Sequence, residues 1–503
     1  MKQHEMSGSR IVRFAVLVLS AMLLMNCATE EKQPPNILWI QTDEQRTSSL
    51  GCYGSDWART PHIDRIAGAG TVFSRAYTQC PQCVPARNSQ LTARYPQEVN
   101  CTFNQGNIPY PEGTRTIVDV LNEAGYRTVT YGKQHTTAPI AWDEARDWIL
   151  NPEYAGYYSI NEKYDPEEYD VITPSGARQG NIIRAGVYPG GDDNPSRNIT
   201  DWAIEFLKGR DKETPFFLRV SHNYPHTPVL PSKPWDTFYD PEEIPVVYLD
   251  MEAVKTRSSW DQEASQWKAL SNLSKEDYDR SWQHYMGLCA QVDDEVGRLM
   301  EVMDEMGLTE NTIIVFSADH GAGLGEFGLV TKGTFDDPSW RIPYIWSWPG
   351  QVPAGVVSED LAELTDMNKT LLRLCGIEDR IPETWRGRDL FKDPAPDAVF
   401  GQIGYPNMNS VVGRKGDSRA HFAQLRMGIR TDRYRMDYTF MKDGEKMPVA
   451  DGNLFDMVND PGELKNLWDD QDHQEIRTSM AKQMDNWFEK IDKPAVLFES
   501  VDP

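Results

Sequence analysis

Short apolar runs bounded by turn residues alternate along this chain with stretches whose apolar residues recur every three to four positions. Asn36 to Thr42 is one such run, closed by Pro35 and Asp43, and it predicts a buried strand. Thr60-Pro61 opens a helix, with Thr at the N-cap, Pro at the first helical position, and Ile63, Ile66 and Ala67 on one face. A second helix is predicted from Thr116 to Ala124, with Ile117, Val118 and Leu121 inward and Gly125 as its stop. Strands follow at Tyr126 to Tyr131, Pro215 to Ser221 and Thr312 to Ser317. Between the last two, Ser281 to Met306 places Leu288, Val292, Val296, Leu299 and Met303 at helical spacing. Strands alternating with helices predict an α/β fold, a large mostly parallel sheet sandwiched by helices.

Near residue 386 the pattern changes. Lys392 to Asp397 reads as a linker, and β-like runs follow at Ala398 to Ile403 and Gln424 to Tyr438, with a turn at Asp443-Gly444. Asp460-Pro461-Gly462 breaks the chain before a last helix, whose Ile476, Met480, Met484, Trp487, Phe488 and Ile491 form one stripe facing a small sheet. The expected organisation is a large domain over 34–390 and a smaller C-terminal α+β domain over 397–503.

The amino terminus reads as an address. Lys2, Arg10 and Arg13 precede an apolar run from Phe14 to Met25, too short to span a bilayer, which needs about 20 residues, but suited to a signal-peptide core. Cys27, directly after the run and before a polar stretch, resembles the acylated Cys of a bacterial lipoprotein, although Asn26 replaces the usual small residue. The expectation is a signal peptide over 1–26 and an exported bacterial protein, in the periplasm or at the cell surface, anchored by lipid at Cys27. An aqueous exported form with Cys27 incidental is the alternative.

Composition narrows the function. The chain of 503 residues is too long for one core and, at 39% hydrophobic and 11% aromatic, too apolar for disorder. A net charge of -25 argues against nucleic acid or an anionic membrane as general partners. Removing residues 1–26 makes the balance more acidic still. An anionic substrate would need a local cluster of cations or a bound metal. Besides Cys27 there are six cysteines, at 52, 80, 83, 101, 289 and 375, a number that could pair after export. Cys80-Pro-Gln-Cys83 looks like a redox dithiol, but no thioredoxin-like pattern surrounds it.

The candidate chemistry lies at strand ends. The predicted strands run into Asp43-Glu44, into Gly132-Lys133-Gln134-His135, into His222 to His226, and into Asp319-His320-Gly321. In open parallel sheets ligands bind beyond the carboxyl ends of the strands, so these groups should converge. Asp43, Glu44, Asp319 and His320 together would repel unless a cation sat among them. Their oxygens suit calcium or magnesium, and the imidazole leans toward manganese or zinc. Either Asp alone could merely cap a turn. Cys83-Val-Pro85-Ala-Arg87 puts a thiol at a helix start, where the helix dipole favours negative charge, with a cation one turn on; a buried structural Cys is the plainer reading.

Cys83-x-Pro85-x-Arg87 followed by Leu91-Thr-Ala-Arg-Tyr-Pro96 resembles the signature of the type I sulfatases, in the alkaline-phosphatase superfamily. Gly51 to Gly54, Gly132 to His135, Pro225 to Pro228, Val292 to Gly297, Ser317 to Gly321, Lys332 to Thr334 and Leu454 to Leu467 occur in that family's order, so the resemblance spans roughly 34–470. It implies that a maturation enzyme converts Cys83 to formylglycine, whose hydrate supplies the nucleophile and touches the metal. Arg87 would hold the formylglycine. Asp43, Glu44, Asp319 and His320 would ligate a divalent ion, usually Ca2+ in this family, with Mn2+ or Mg2+ as alternatives. Lys133 and Lys332 would hold sulfate oxygens, His226 would protonate the leaving alcohol, and His135 would take the proton that expels sulfate. Glu44 stands where many sulfatases have Asp, and Asp319-His320 also resembles the phosphonate monoester hydrolases. His222 reads as packing, and Asp293 and Asp294 as structural. The resulting expectation is a sulfatase acting on a sulfated glycan. The alternatives are a phosphonate monoester or phosphodiester hydrolase, and an inactive glycan-binding lipoprotein.

Overall fold

The computed structural model describes residues 33–104, 109–147, 172, 185–405, 424–442 and 444–493. The signal-peptide reading and Cys27 therefore lie outside the described residues. Strands of three or more residues and helices of seven or more are labelled in chain order. The main sheet holds β1 (Asn36–Thr42), β2 (Gly70–Tyr77), β3 (Arg127–Gly132), β4 (Glu144–Arg146), β5 (Phe216–Ser221), β6 (Thr312–Ala318), β7 (Tyr344–Ser347) and β8 (Val356–Glu363). Their spatial order is β8-β2-β7-β6-β1-β5-β3-β4, with the short strand Arg341–Ile342 beside β2. The pairs β1–β5, β1–β6, β3–β5, β3–β4 and β2–β8 are parallel, and β7 runs antiparallel to both its neighbours.

Side-chain alternation in the strands builds two cores, one on each face. Leu38 and Ile40 of β1, Leu218 and Val220 of β5, and Ile314 and Phe316 of β6 face one side. There they meet α1 (Pro61–Gly68), α4 (Pro195–Gly209) and the long α5 (Lys275–Glu305). Ile37, Trp39, Phe217, Ile313 and Val315 face the other side, against α3 (Ile117–Glu123) and α6 (Asp366–Leu374). Helices on both faces explain why β1 and β6 read as continuous apolar runs. Asp293 is structural: its carboxylate accepts from the backbone N–H groups of His62 (3.2 Å) and Ile63 (2.8 Å) in the first turn of α1.

The smaller C-terminal domain is an antiparallel sheet in the order β9 (Ala398–Ile403), β10 (Gln424–Thr431), β11 (Tyr434–Lys442), with Glu445–Lys446 and β12 (Gly452–Asp456) both against β11. Its helix α7 (Gln474–Phe488) lays Met480, Met484 and Phe488 onto Leu425, Met427, Ile429, Met436 and Tyr438. No helix among the described residues is long and apolar enough to cross a membrane. Cys52, Cys80, Cys83, Cys101, Cys289 and Cys375 are all thiols in the structure, so the six do not pair with one another.

Candidate active site

The ends of β1, β3, β5 and β6 deliver Asp43, Lys133, His222 and Asp319 to one edge of the sheet. α2 (Cys83–Thr92), buried along its whole length, points its first residue into that cluster. Cys83 is the focus. Its Sγ lies 2.9 Å from Lys332 Nζ, 3.2 Å from His320 Nε2, 3.6 Å from Asp43 Oδ1 and 3.9 Å from Lys133 Nζ. His135 also makes a side-chain hydrogen bond to Cys83. Burial pushes the thiol up, but the charges of Lys133, Lys332 and His320 outweigh it and hold the group well below its ordinary value.

Arg87 is the keystone beneath residue 83. Wholly buried, it donates from Nε to Asp319 Oδ2 (2.7 Å), from Nη2 to Asp43 Oδ2 (2.9 Å), and from Nη1 to the Lys133 carbonyl and Ser221 Oγ (both 2.8 Å). None of these bonds goes to the Cys83 sulfur, so Arg87 acts on residue 83 through the carboxylates it orients. The guanidinium fork explains why Arg is used: one planar group spans both carboxylates and the ends of two strands.

Four ligand atoms, one each from Asp43, Cys83, Asp319 and His320, lie within 4.8 Å of one another. Burial and the Cys83 sulfur push Asp43 up, but Lys133 (2.6 Å away), His226 and Arg87 keep it far below the usual carboxylate range. Asp319 is raised by burial and by the negative charge of Asp43 beside it. His320 Nδ1 donates to the Gly321 carbonyl (2.8 Å), which turns Nε2 toward the sulfur and the carboxylates. Burial lowers the imidazole, but Asp319 and the Cys83 sulfur outweigh it and raise it to about 9, so a bound cation would take the place of the Nε2 proton. Two hard oxygens, an imidazole nitrogen and the residue 83 position fit a divalent cation, with the mutual repulsion of Asp43 and Asp319 as the physical reason for one.

Glu44 stands outside that four-atom group. It is buried in the left-handed backbone region (φ 64°), and its Oε1 lies 2.7 Å from Lys332 Nζ. Its Oε2 accepts from the Thr227 N–H (3.3 Å), and with Asp43 and His226 it forms a second group of converging ligand atoms. His226 is half-buried on the turn after β5, and its Nδ1 meets the Thr227 carbonyl. His135, also at a positive φ (51°), is pushed toward the neutral form by burial and by Lys133, despite its bond to Cys83. His222 is buried on Ser196 Oγ (2.9 Å) with its pKa down to about 4, a packing residue as expected.

Sequence patterns pass over several supporting groups. Ser221 and Gln41 sit inside apolar strand runs, yet their side chains face Arg87. Tyr285 of α5 donates to the Glu44 carbonyl (2.6 Å) and fixes the strained turn. Only their positions at or near the last residue of a strand could have singled out Ser221 and Gln41.

A family model described as sulfatase matches residues 35–377, and one described as N-sulphoglucosamine sulphohydrolase, C-terminal, matches 325–490. The chain belongs to the sulfatase family. It is therefore a sulfuric ester hydrolase by class. An endo-4-O-sulfatase of Bacteroides thetaiotaomicron is 26% identical over 92% of this chain and 94% of its own length. In structure the chain is similar to a phosphonate monoester hydrolase from Silicibacter pomeroyi (TM-score 0.74, 22% identity, 91% of this chain and 96% of that one). It is also similar to a protein solved with D-glucosamine-2-N,6-O-disulfate (TM-score 0.65, 20% identity, 91% and 98%). At these identities the two structures speak for the shared fold.

Proposed function

We propose that this sulfatase removes sulfate esters from a sulfated polysaccharide or oligosaccharide outside the cytoplasm, exported by residues 1–26 and anchored at Cys27. The observation that carries the chemistry is the convergence of Lys133, Lys332, His135 and His320 on the Cys83 sulfur. A glycan substrate rests on the endo-4-O-sulfatase and on the N-acetylglucosamine-6-O-sulfatase of the same bacterium, 26% identical over 90% of this chain. The catalytic domain in this proposal spans 34–390 and the smaller domain 397–503.

In this reading a formylglycine-generating enzyme oxidises Cys83, and the hydrated aldehyde would supply one hydroxyl to attack sulfur and a second to expel sulfate by elimination. Asp43, Asp319 and His320 would hold a divalent cation, Ca2+ by family habit, which would polarise the sulfate. Glu44, turned toward Lys332, joins that shell only by reorienting. Lys332 and Lys133 hold the sulfate oxygens, where negative charge grows as the ester bond breaks. His226, half-buried beside Asp43 and Glu44, protonates the leaving sugar oxygen. His135, held neutral by burial, accepts the proton from the second hydroxyl of residue 83. Arg87 keeps both carboxylates and the end of β3 in register.

Two kinetic comparisons test this. A His226→Ala variant should lose about 10²–10⁴-fold on sugar sulfates but far less on aryl sulfates, whose leaving groups need no proton. Equal losses would assign the acid elsewhere. An aryl sulfate should be hydrolysed faster than the matching aryl phosphonate; a large reverse preference would make this a phosphonate hydrolase.

A further inference from the structure

Lys332 reaches residue 83 on a flexible four-carbon stem, so the position of its backbone decides where its charge sits. That backbone belongs to the large domain by sequence, but its next residues dock onto the C-terminal sheet. Gly333 (φ 101°) donates its N–H to the Pro81 carbonyl (3.0 Å), tying the turn to the loop before Cys83. Phe335, 1% exposed, lies over two facing glycines, Gly401 of β9 and Gly428 of β10, which are register partners. A Cβ on either would come within 2.6 Å of the Phe335 ring, so the ring occupies space that only glycine leaves open. Trp340 closes the slot edge-on, 5.0 Å between centroids.

Asp336 is buried next to that ring and is held by Arg257 and by Arg435 Nη2 (3.1 Å). Arg435 continues to Glu463 and Asp437, and Asp437 takes Arg426 Nε (2.7 Å). Glu463 Oε2 accepts the Asp337 N–H (2.9 Å), and its carbonyl accepts Arg257 Nη2 (2.8 Å). The sheet therefore has two faces set by period-two alternation. Met427 and Ile429 face α7, while Arg426 and Gly428 face the large domain.

We propose that the C-terminal sheet is the scaffold that places Lys332 at residue 83, with Gly401, Gly428, Phe335, Arg435 and Glu463 as positioning residues. This rests on the reading of Lys332 as a sulfate-holding cation. A displacement of Lys332 by about 1 Å is enough to cost roughly 10²-fold in rate.

The test is a mutant cycle in the full-length mature enzyme, read as kcat/KM on an aryl sulfate and as competitive inhibition by inorganic sulfate. Gly428→Ala should lower kcat/KM by about 10²-fold and weaken sulfate inhibition. In a Lys332→Ala background the same substitution should add little, because the group it displaces is gone. Phe335→Leu should show the same dependence on Lys332 and serves if Gly428→Ala does not fold; in combination it should recover part of the Gly428→Ala loss. Met484→Ala, in the α7 core behind the sheet, should lower the melting temperature but leave kcat/KM and sulfate inhibition unchanged. Three results would overturn the scaffold: full activity in both Gly428→Ala and Phe335→Leu, equal losses with and without Lys332, or a Met484→Ala loss as large. Unaltered kcat/KM and sulfate inhibition in Lys332→Ala alone would instead refute the sulfate-holding role on which it rests.

Discussion

Two of the buried charge clusters among the described residues spend their charges differently. At the seam between the domains, Arg257, Arg426 and Arg435 are matched fork to carboxylate by Asp336, Asp437 and Glu463. At the sheet edge, Arg87 is likewise consumed by Asp43 and Asp319, and Lys133 and Lys332 pair with Asp43 and Glu44, but both lysines and two histidines also converge on a single sulfur. The first cluster has satisfied itself and holds backbone in place. The second has kept charge available for a ligand. Buried charge thus marks a reactive site only where its partners converge on an atom that can react.

The contrast predicts opposite kinds of damage. Cys83→Ala should abolish sulfate ester hydrolysis, and Lys133→Ala and Lys332→Ala should each cost about 10²–10³-fold in kcat, with the fold retained by circular dichroism. Arg435→Met should do the reverse: leaving Asp437 and Glu463 partly unpaired should cost about 3–5 kcal/mol in urea unfolding. A site variant that unfolds the protein, or an Arg435→Met variant of full stability, would erase the distinction.

A smaller effect concerns Glu363, at the end of β8 against β9. Its carboxylate meets Tyr95 Oη (2.9 Å) and the Phe400 N–H (3.3 Å), and burial together with Asp366 pushes its pKa from 4.5 to about 8. A group raised on folding stabilises the fold when protonated, so its contribution is complete below its unfolded value and lost as pH rises through about 8. Melting temperature should therefore fall as pH rises across that window, and Glu363→Gln should flatten the fall. An unchanged slope would mean the carboxyl is already ionised.

The sequence carried the sheet edge more openly than the seam. β1 and β6 are covered on both faces, so each reads as an apolar run whose polar terminus stands out, and Asp43 and Asp319 follow directly; Lys133 follows the glycine that ends β3. α5 begins at Lys275 rather than near 281 because its first turn is polar; the Ser274 cap with Asp277 marks the start instead of an apolar stripe. β7, four residues long and antiparallel, offers too short a run to show its direction. In the C-terminal sheet, Arg426-x-Gly428-x-Arg430 looks like a solvated face, and nothing local reveals that Asp437 pairs with Arg426, that Phe335 covers Gly428 or that Arg430 donates to Tyr77 Oη (3.0 Å). Glu44 was legible as a buried acid, but its turn toward Lys332 depends on a loop almost 290 positions away.

All of the chemistry rests on what residue 83 becomes. Peptide mass spectrometry across Cys83, on protein made in a host that has the formylglycine-generating enzyme, tests this directly. The account predicts that the peptide carries the mass of the aldehyde. A fully mature, native enzyme with an unmodified thiol at residue 83 would contradict it.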